Sequence, residues 1–327
     1  MSEGIGTLLD ISKLSTDVPA KVVQTIVDCM PLFDQMAFVP ANNGMNNKTL
    51  VVTDYPEGQL RGFNEGVKPE KAGGMTVTDS TCMLSTYSQI DAKLLQLNKN
   101  SAEWRYNQEQ AFQVGIAHNV AKMIFQGSLK KDPKAFDGIL TRYAKKSDKD
   151  VFLDAGGTSS ATKGLGDILI VNWGAATIHG IYPEGGVAGL VRTDRGEQDC
   201  YDKNNRRFRG VVTDYDWTLG LAVEDRRQVI RVGNIDIGAL TADAKTGKDL
   251  VDLLIDAVER FPTTVGAGCA IYMNKVLRTM LRKQIGHREN VNLQWETVAG
   301  RKVVTYDGIP VHKLPESILP TYSTPIS

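Results

Sequence analysis

The longest regular pattern of apolar positions in the chain predicts a single long helix from Ser101 to Gln126. Apolar side chains recur every four residues along one face of this stretch, at Phe112, Ile116, Val120 and Ile124. Asn100 precedes the stretch as a capping residue, and Gly127 follows it as a stop signal. At ~1.5 Å per residue the helix would be roughly 39 Å long. We expect it to act as a spine for the molecule.

Two strand-like stretches enclose a polar segment closer to the N-terminus. Thr49 to Tyr55 (TLVVTDY) and Met75 to Ser80 (MTVTDS) have the composition of paired β-strands. The segment between them, Glu57 to Gly74, is rich in glycine and charge, which disfavours regular structure. It is too long for a tight turn and too poor in apolar residues to pack on itself. The pattern predicts a hairpin whose loop projects.

The first forty residues contain only short apolar clusters separated by prolines. The clusters are Val22-Val23, Ile26-Val27 and Leu32-Phe33, and the prolines are Pro19, Pro31 and Pro40. A cluster of this length forms a helical turn or two but does not close a core by itself. We therefore expect an arm that packs against something else.

The second half of the chain mixes strand and helix patterns without a regular βαβ order. Strand patterns occur at Asp167 to Val171, Gly210 to Tyr215, Gln228 to Val232, Ala270 to Met273 and Lys302 to Tyr306. A helical pattern covers Lys248 to Arg260 and ends at Pro262. Another covers Lys275 to Ile285, with Asn274 as its cap and Gly286 as its end. This mixture predicts the α+β class.

Composition narrows the class of protein. The chain has 327 residues, 42% hydrophobic and 23% charged, which is typical of a soluble globular protein of about two domains. Apolar runs of 18 residues are absent from the sequence, and Met1 to Asp10 do not resemble a secretory signal, so we expect a cytoplasmic protein without a membrane span. Basic and acidic residues balance at 38 each, which argues against a dedicated nucleic-acid binder.

Cysteine and histidine positions give no sign of a metal or disulfide framework. The cysteines lie far apart and form no CxxC pair, so we expect buried reduced thiols at Cys29, Cys82, Cys200 and Cys269. The histidines show no HxH or HExxH spacing, and a solvated or core role is favoured for each of them: His118, His179, His287 and His312. The sequence therefore predicts no metal site.

The evidence for a phosphate-binding loop, a catalytic carboxylate pair or a ligand-binding tryptophan is equally weak. The TGKD segment, Thr246 to Asp249, lacks the upstream glycine and the hydroxyl residue of a phosphate-binding loop and is better explained as a helix start. The carboxylate pairs Glu224-Asp225 and Asp214 with Asp216 are favoured as solvated. Trp173, Trp217 and Trp295 are favoured as core residues. We therefore predict no catalytic residue, no bound cofactor and no enzyme activity.

Several ordered segments resemble one protein family over nearly the whole chain. They are Thr49 to Val67, Thr76 to Leu97, Ile124 to Tyr143, Ile168 to Leu190, Val229 to Leu240, Ala270 to Ile285 and Tyr306 to Ser317. In this order they resemble the major capsid proteins of tailed double-stranded DNA bacteriophages with the Hong Kong 97-type fold. Within that family the chain is similar to those of short-tailed phages of the epsilon-fifteen and Bordetella-phage type.

The resemblance implies a division of the chain into five parts. Residues 1–48 would be an N-terminal arm, 49–80 an extended β-hairpin loop, 81–153 a peripheral domain with the spine helix at 101–126, 154–308 mainly the axial domain, and 309–327 a return strand and C-terminal tail. The extended loop would lie over a neighbouring subunit. Because the loop has no core of its own, we expect subunit contacts from Leu60, Arg61, Phe63, Glu65, Val67 and Lys68.

The function implied is that of a shell subunit. The chain would assemble into hexamers and pentamers of an icosahedral shell in the host cytoplasm and enclose phage double-stranded DNA by non-specific contact. Partners would be other copies of the chain, portal and cement or decoration proteins, and a separate scaffolding protein, because no long helical extension precedes the arm. Two alternatives remain open from the sequence, an encapsulin-like protein shell and an intracellular enzyme of unassigned chemistry.

Overall fold

The computed structural model describes residues 30, 32–54, 56–97, 102–243, 247–262, 268–286, 293–298 and 301–327. Side chains are described for the same residues, apart from 52–54, 102–103, 293–298 and 301–304. Most of the predicted arm, the cap at Asn100, Cys29, His287 and the side chain of Trp295 therefore lie outside the described part. Within it, two mixed β-sheets and the helices that cover them give an α+β fold, as the sequence pattern predicted.

In the part of the chain that the structure describes, the α-helices are α1 (Leu32–Gln35), α2 (Ala92–Leu97), α3 (Ala102–Gln126), α4 (Ile139–Arg142), α5 (Leu250–Val258) and α6 (Lys275–Gly286). The strands are β1 (Phe38–Pro40), β2 (Asn46–Asp54), β3 (Gly73–Asp91), β4 (Phe152–Asp154), β5 (Leu165–Asn172), β6 (Ile178–Tyr182), β7 (Val191–Tyr201), β8 (Arg207–Val223), β9 (Val229–Asp236), β10 (Cys269–Asn274), β11 (Leu293–Val298), β12 (Arg301–Tyr306) and β13 (Ile309–Leu314).

The predicted spine helix is confirmed as α3. Its inner face carries the predicted four-residue repeat, and Ile116, Val120 and Ile124 are fully or almost fully buried. Phe112 lies at the margin of that face, partly exposed and stacked on Tyr215 of β8. The helix ends before Gly127, where a Cβ would collide with the Phe136 and Met123 carbonyl oxygens, so only glycine fits the turn.

The first sheet has the order β1-β6-β8-β3-β2, with β7 paired to β8. The predicted hairpin is its outer part, since β2 and β3 pair antiparallel from Asn46↔Ser80 to Asp54↔Gly73. β3 is much longer than predicted, with 19 residues, because its second half pairs with β8 instead of β2. Gly73 and Gly74 begin this strand, although the sequence pattern placed them in the loop.

The second sheet has the order β11-β12-β13-β10-β5-β9-β4 and contributes to two cores. Successive side chains of a strand point to opposite faces. Leu169 and Val171 of β5 pack into the core beneath α3. Ile168 and Ile170 pack into the core beneath α5 and α6. The sheet therefore contributes side chains to both cores.

Several local predictions can be compared with these elements. Asp249 caps α5, so the TGKD segment leads into a helix start, and Asn274 caps α6 through the Leu277 N–H at 2.8 Å. All five predicted strands of the second half exist, and β5, β8 and β10 are longer than predicted at both ends. β9 begins one residue later than predicted and ends four residues later, and β12 begins one residue earlier. The pattern missed β4, β6, β7 and β11. The interval 154–308 contributes to both sheets, because β6, β7 and β8 belong to the first.

Candidate functional site

The segment between β2 and β3, residues 56–72, is called here the projecting loop. Every one of its side chains is exposed. Leu60 is 105% and Phe63 102% exposed, so neither touches the body of the subunit. The loop's own hydrogen bonds are local: Gln59 Nε2 donates to Glu70 Oε1 at 2.7 Å, and Gly62 N donates to Glu65 Oε2 at 2.8 Å. Hydrogen bonds therefore link residues within the loop, but its side chains do not pack against the described part of the subunit.

All six predicted contact residues lie in the projecting loop and are exposed, namely Leu60, Arg61, Phe63, Glu65, Val67 and Lys68. Within the same loop, Asn64, with φ 66°, and Gly58, with φ 73°, adopt the left-handed backbone conformation. The six predicted contact residues face solvent within the single subunit. A surface of this kind presents apolar area that is not buried against any described residue of its own subunit.

The root of the hairpin, in contrast, is fixed by buried polar contacts. Asp79, which is 3% exposed, accepts a hydrogen bond from Arg142 at 2.6 Å, and Arg142 also donates to the Leu221 carbonyl oxygen. On β2, Thr49 Oγ1 donates to Glu224 Oε1 at 3.2 Å. These contacts tie the root to α4 and β8, so the loop projects from a rigid base.

A buried polar cluster joins the spine helix to the first sheet. Glu109 of α3, whose side chain is 1% exposed, accepts hydrogen bonds from Arg105 at 2.7 Å, Arg192 of β7 at 2.7 Å and Thr213 of β8 at 2.8 Å. Arg105 also pairs with Asp194 at 2.8 Å. Both oxygens of the carboxylate are therefore satisfied, as a buried charge requires.

The pKa of Glu109 follows from these contacts. Burial alone would raise it, but the hydrogen bonds from Arg192, Thr213 and Arg105 outweigh burial and hold the pKa of Glu109 below its ordinary value. The same carboxylate raises the pKa of Arg192, against the effect of burial. Glu109 is thus charged at neutral pH and serves as the anchor between helix and sheet. Sequence reasoning missed it because a single Glu in a helix carries no local signal.

A second buried junction connects the C-terminal tail to the central sheet. Arg231 of β9 donates to Asp167 of β5 at 2.5 Å and to the Tyr143 carbonyl oxygen at 2.8 Å, just after α4. Tyr322 donates its hydroxyl proton to Asp167 at 2.5 Å and accepts from Asn234 N at 2.8 Å. Helix, sheet and tail therefore meet at one ion pair.

The histidines and carboxylates that the sequence singled out do not assemble into one site. His118 lies within 2.8 Å of Ser317 Oγ at the surface, His179 is buried, and His312 stacks on the Tyr272 ring. The carboxylates have separate partners: Glu224 bonds Thr49, Asp225 pairs with Arg227, Asp214 pairs with Arg195, and Asp216 accepts from Ser85.

Three further sequence predictions concern the interior and the membrane. Cys82, Cys200 and Cys269 are buried free thiols, and Trp173 and Trp217 are core residues, as predicted. In the described ranges no three His, Cys, Asp or Glu side chains come together as metal ligands. None of the helices seen in those ranges is both long enough and apolar enough to cross a membrane.

A family model and a solved structure at 30% identity relate this chain to one family. The model of the family described as "Major capsid protein GP7" matches residues 15–321. A chain in the cryo-EM structure of bacteriophage Epsilon15 is 30% identical, with a TM-score of 0.64, over 88% of this chain and 87% of that one. The bacteriophage JBD30 capsid is 13% identical, with a TM-score of 0.47, over 87% and 89%. No curated protein sequence matches this chain.

Proposed function

The chain belongs to the major capsid protein GP7 family, and we propose that it forms the hexamers and pentamers of an icosahedral shell in which each projecting loop covers the next copy. Family membership and the likeness to Epsilon15 make it a bacteriophage capsid shell protein with the Hong Kong 97-type fold. It assembles with its own copies, and its place is the virion capsid. The encapsulin-like and enzyme alternatives are not favoured.

The observation that supports the loop's role is the complete exposure of Leu60 and Phe63. Burying one such side chain contributes ~1.5–3 kcal/mol. Inside a single subunit the loop has no core in which to gain this free energy. A neighbouring copy offers a surface at every position of a shell, so the gain is repeated with each copy.

The charged residues of the loop would add weaker contacts. Arg61, Glu65 and Lys68 are exposed, and an exposed ion pair contributes about 0–1 kcal/mol. These weak ion pairs would matter because they are repeated in every copy of the shell and because they would orient the tip of the loop. We expect the apolar side chains to determine the affinity and the charges to determine the alignment.

The division of the chain follows the same proposal. Residues 1–48 would be the arm, 49–80 the extended loop, 81–153 the peripheral domain, 154–308 mainly the axial domain, and 309–327 the return strand and tail. The pairing of β8 with β3, and of β6 and β7 with β8, supports a first sheet shared between the two domains. The second sheet, with α5 and α6, supports a compact axial part.

Further partners belong to the proposal as well. We infer that the shell assembles in the host cytoplasm with a separate scaffolding protein, a portal, and cement or decoration proteins, and that it binds no cofactor. The packaged double-stranded DNA would touch the shell without sequence specificity. The formal net charge of zero supports such weak, non-specific contact, because affinity for DNA comes mainly from neutralised phosphates.

The test of the loop's role is the double variant Leu60→Ser with Phe63→Ser. We expect subunits that melt like wild type but do not form closed shells under conditions where wild type does. The matched control, Leu60→Val with Phe63→Leu, keeps both positions apolar and should assemble. Normal shell yield from the serine variant would refute the proposed contact.

A further inference from the structure

The two helices that lie over the second sheet carry opposite charge. From Asp249 to Glu259, the cap and body of α5, the chain has four acidic residues and no basic one. Helix α6, Lys275–Gly286, has four basic residues and no acidic one. Over the whole chain acidic and basic residues are equal in number, at 38 each. Charge is therefore segregated between these two helices.

Each helix exposes its charges on one side, around one apolar side chain. The acidic face of α5 consists of four exposed residues, Asp252, Ile255, Asp256 and Glu259. The basic face of α6 consists of five exposed residues, Lys275, Val276, Thr279, Arg282 and Lys283. Ile255 is 45% and Val276 36% exposed. Each face thus has a small apolar centre with charges around it, which is the usual anatomy of a protein interface.

The helix dipole explains only part of this arrangement. Asp249 and Asp252 suit the N-terminus of α5, but Asp256 and Glu259 lie at its C-terminus, where negative charge is disfavoured. Lys275 is the first residue of α6, where positive charge is disfavoured. Asp252 and Asp256 are also four residues apart on one helix, so they repel each other. An oppositely charged partner would relieve these interactions.

The described part of the subunit does not supply that partner. There, no ion pair joins α5 to α6, and four of the charged side chains pair with no described residue: Asp256, Glu259, Lys275 and Lys283. Arg260 directly follows the acidic face, but it donates to the Phe152 carbonyl oxygen of β4 at 2.9 Å. Both faces are therefore open to a second molecule.

The position of the helices on the sheet separates the two faces. α5 packs against β9, whereas α6 packs against β10 and β13. In the sheet β5 lies between β10 and β9, so the two helices cover opposite sides of β5. Both bury their apolar residues in the same core and expose their charges away from it. One copy can therefore present its acidic face to the basic face of another copy that is displaced across the sheet.

We propose that the acidic face of one copy packs against the basic face of the next copy around each capsomer, with Ile255 and Val276 at the centre of the contact. The inference rests on the proposed function, since it needs rings of copies. It goes beyond that function by assigning two surfaces that lie outside the projecting loop. Contact between different surfaces of two copies is heterologous, the type that closes into rings. The charges would fix the register of the copies.

Carbodiimide cross-linking of wild-type shells tests the contact, because this reagent joins carboxylates to lysine amines. Shells are assembled from a mixture of ¹⁴N-labelled and ¹⁵N-labelled subunits, so a link between two copies shows mixed labels by mass spectrometry. We expect mixed-label links from Asp256 or Glu259 to Lys275 or Lys283. If shells form and these links are absent or join only equal labels, the inference is wrong while the shell function stands. If no shells form, the proposed function fails as well.

Charge reversal tests whether the two faces need each other. The acid-reversed variant is Asp256→Lys with Glu259→Lys, and the base-reversed variant is Lys275→Glu with Lys283→Glu. Each places like charges across the contact, so we expect shell yield to fall about tenfold or more while the subunits melt like wild type. Combining all four substitutions should restore the yield.

Restored yield separates pairing between copies from other uses of the charges. If the combined variant stays as defective as the two reversed variants, a different partner, such as packaged DNA, contacts these faces, and the inference is overturned. Normal yield from both reversed variants would overturn it too. If a reversed variant does not fold, the cross-linking result decides.

A mixture of the two reversed variants tests the ring itself. One variant has two positively charged faces and the other has two negatively charged ones, so the two kinds of copy can pair only in alternation. Alternation closes a ring of even number and fails in a ring of odd number. We expect electron microscopy of the mixture to show hexamers without pentamers, and therefore no closed icosahedral shells. Pentamers as frequent as in wild type would contradict the proposed pairing.

Discussion

At the residue scale, stability depends on a few buried charges where helix, sheet and tail meet. Glu109 is the clearest case, because both carboxylate oxygens are bonded inside the subunit. Removing one partner of a buried ion pair typically costs about 3–5 kcal/mol, since the other charge stays buried without compensation. Glu109 stabilises the subunit because its carboxylate is buried and bonded at both oxygens, and not because any single distance is short.

We therefore expect Glu109→Gln to lower the free energy of unfolding by about 3 kcal/mol at pH 7. Gln keeps the shape but leaves Arg105 and Arg192 short of negative charge. The measurement is urea denaturation of the unassembled subunit. Asp199→Asn, which removes an exposed partner of Arg207 and Arg209, is the control and should not move the midpoint. Equal midpoints for both variants would contradict the anchoring role.

His312 gives a prediction for pH dependence. Burial, with a smaller contribution from Arg278, lowers its pKa from 6.5 to about 4. Below pH 6.5 the unfolded chain binds a proton at His312, whereas the folded chain binds it only near pH 4. The stability that goes with a neutral His312 is therefore present above pH 6.5 and is lost as the pH falls. His312→Phe, which preserves stacking on Tyr272, removes this dependence.

Between pH 7 and pH 4.5, wild type should lose about 2 kcal/mol more stability than His312→Phe. The measurement is denaturant unfolding at a series of pH values, with the second non-titrating variant His312→Leu as a control for packing. Parallel pH curves for wild type and both variants would show that His312 titrates normally in the folded subunit.

At the scale of elements, the sequence predicted what local periodicity determines. The spine helix was evident because its apolar repeat matches a helix period over many turns, and the projecting loop because glycine and charge exclude a core. The β7–β8 hairpin was not evident at β7, because its exposed residues form cross-strand pairs, such as Asp199 with Arg209, in place of alternating apolar residues. The second half of β3 was missed because its partner, β8, lies more than a hundred residues away.

The C-terminal tail bonds to the central sheet through the hydroxyl group of Tyr322. Tyr322→Phe removes the donor to Asp167, and leaving a buried carboxylate oxygen unpaired costs about 1–3 kcal/mol. We expect a lower melting temperature of the subunit. Tyr201→Phe, at an exposed position on β7, is the control and should melt like wild type. An unchanged melting curve for Tyr322→Phe would show that the tail is not held by this bond.

The projecting loop should behave in the opposite way. Replacing residues 55–72 with Asn-Gly joins β2 to β3 by a tight turn. Because the described side chains of the loop, residues 56–72, are all exposed, the free energy of unfolding should change by less than about 1 kcal/mol. Shell formation should fail. A large drop in the melting temperature would instead show that the loop belongs to the subunit's own core.

At the scale of the whole molecule, the candidate site divides into a predictable and an unpredictable part. The loop residues that would make contacts, such as Leu60 and Phe63, could be named from composition alone. The contacts that fix the root of the loop could not, because Asp79 and its partner Arg142 lie 63 residues apart in the sequence. Contacts between distant residues depend on the topology of the sheets, which local sequence patterns do not show.

The most direct test of the account is a cryo-EM reconstruction of particles assembled from this chain. We expect closed shells in which residues 56–72 of each copy lie on the next copy, with Leu60 and Phe63 buried at that contact. A reconstruction in which the loop stays in solvent or folds onto its own subunit would contradict the account, even if the shell itself is closed.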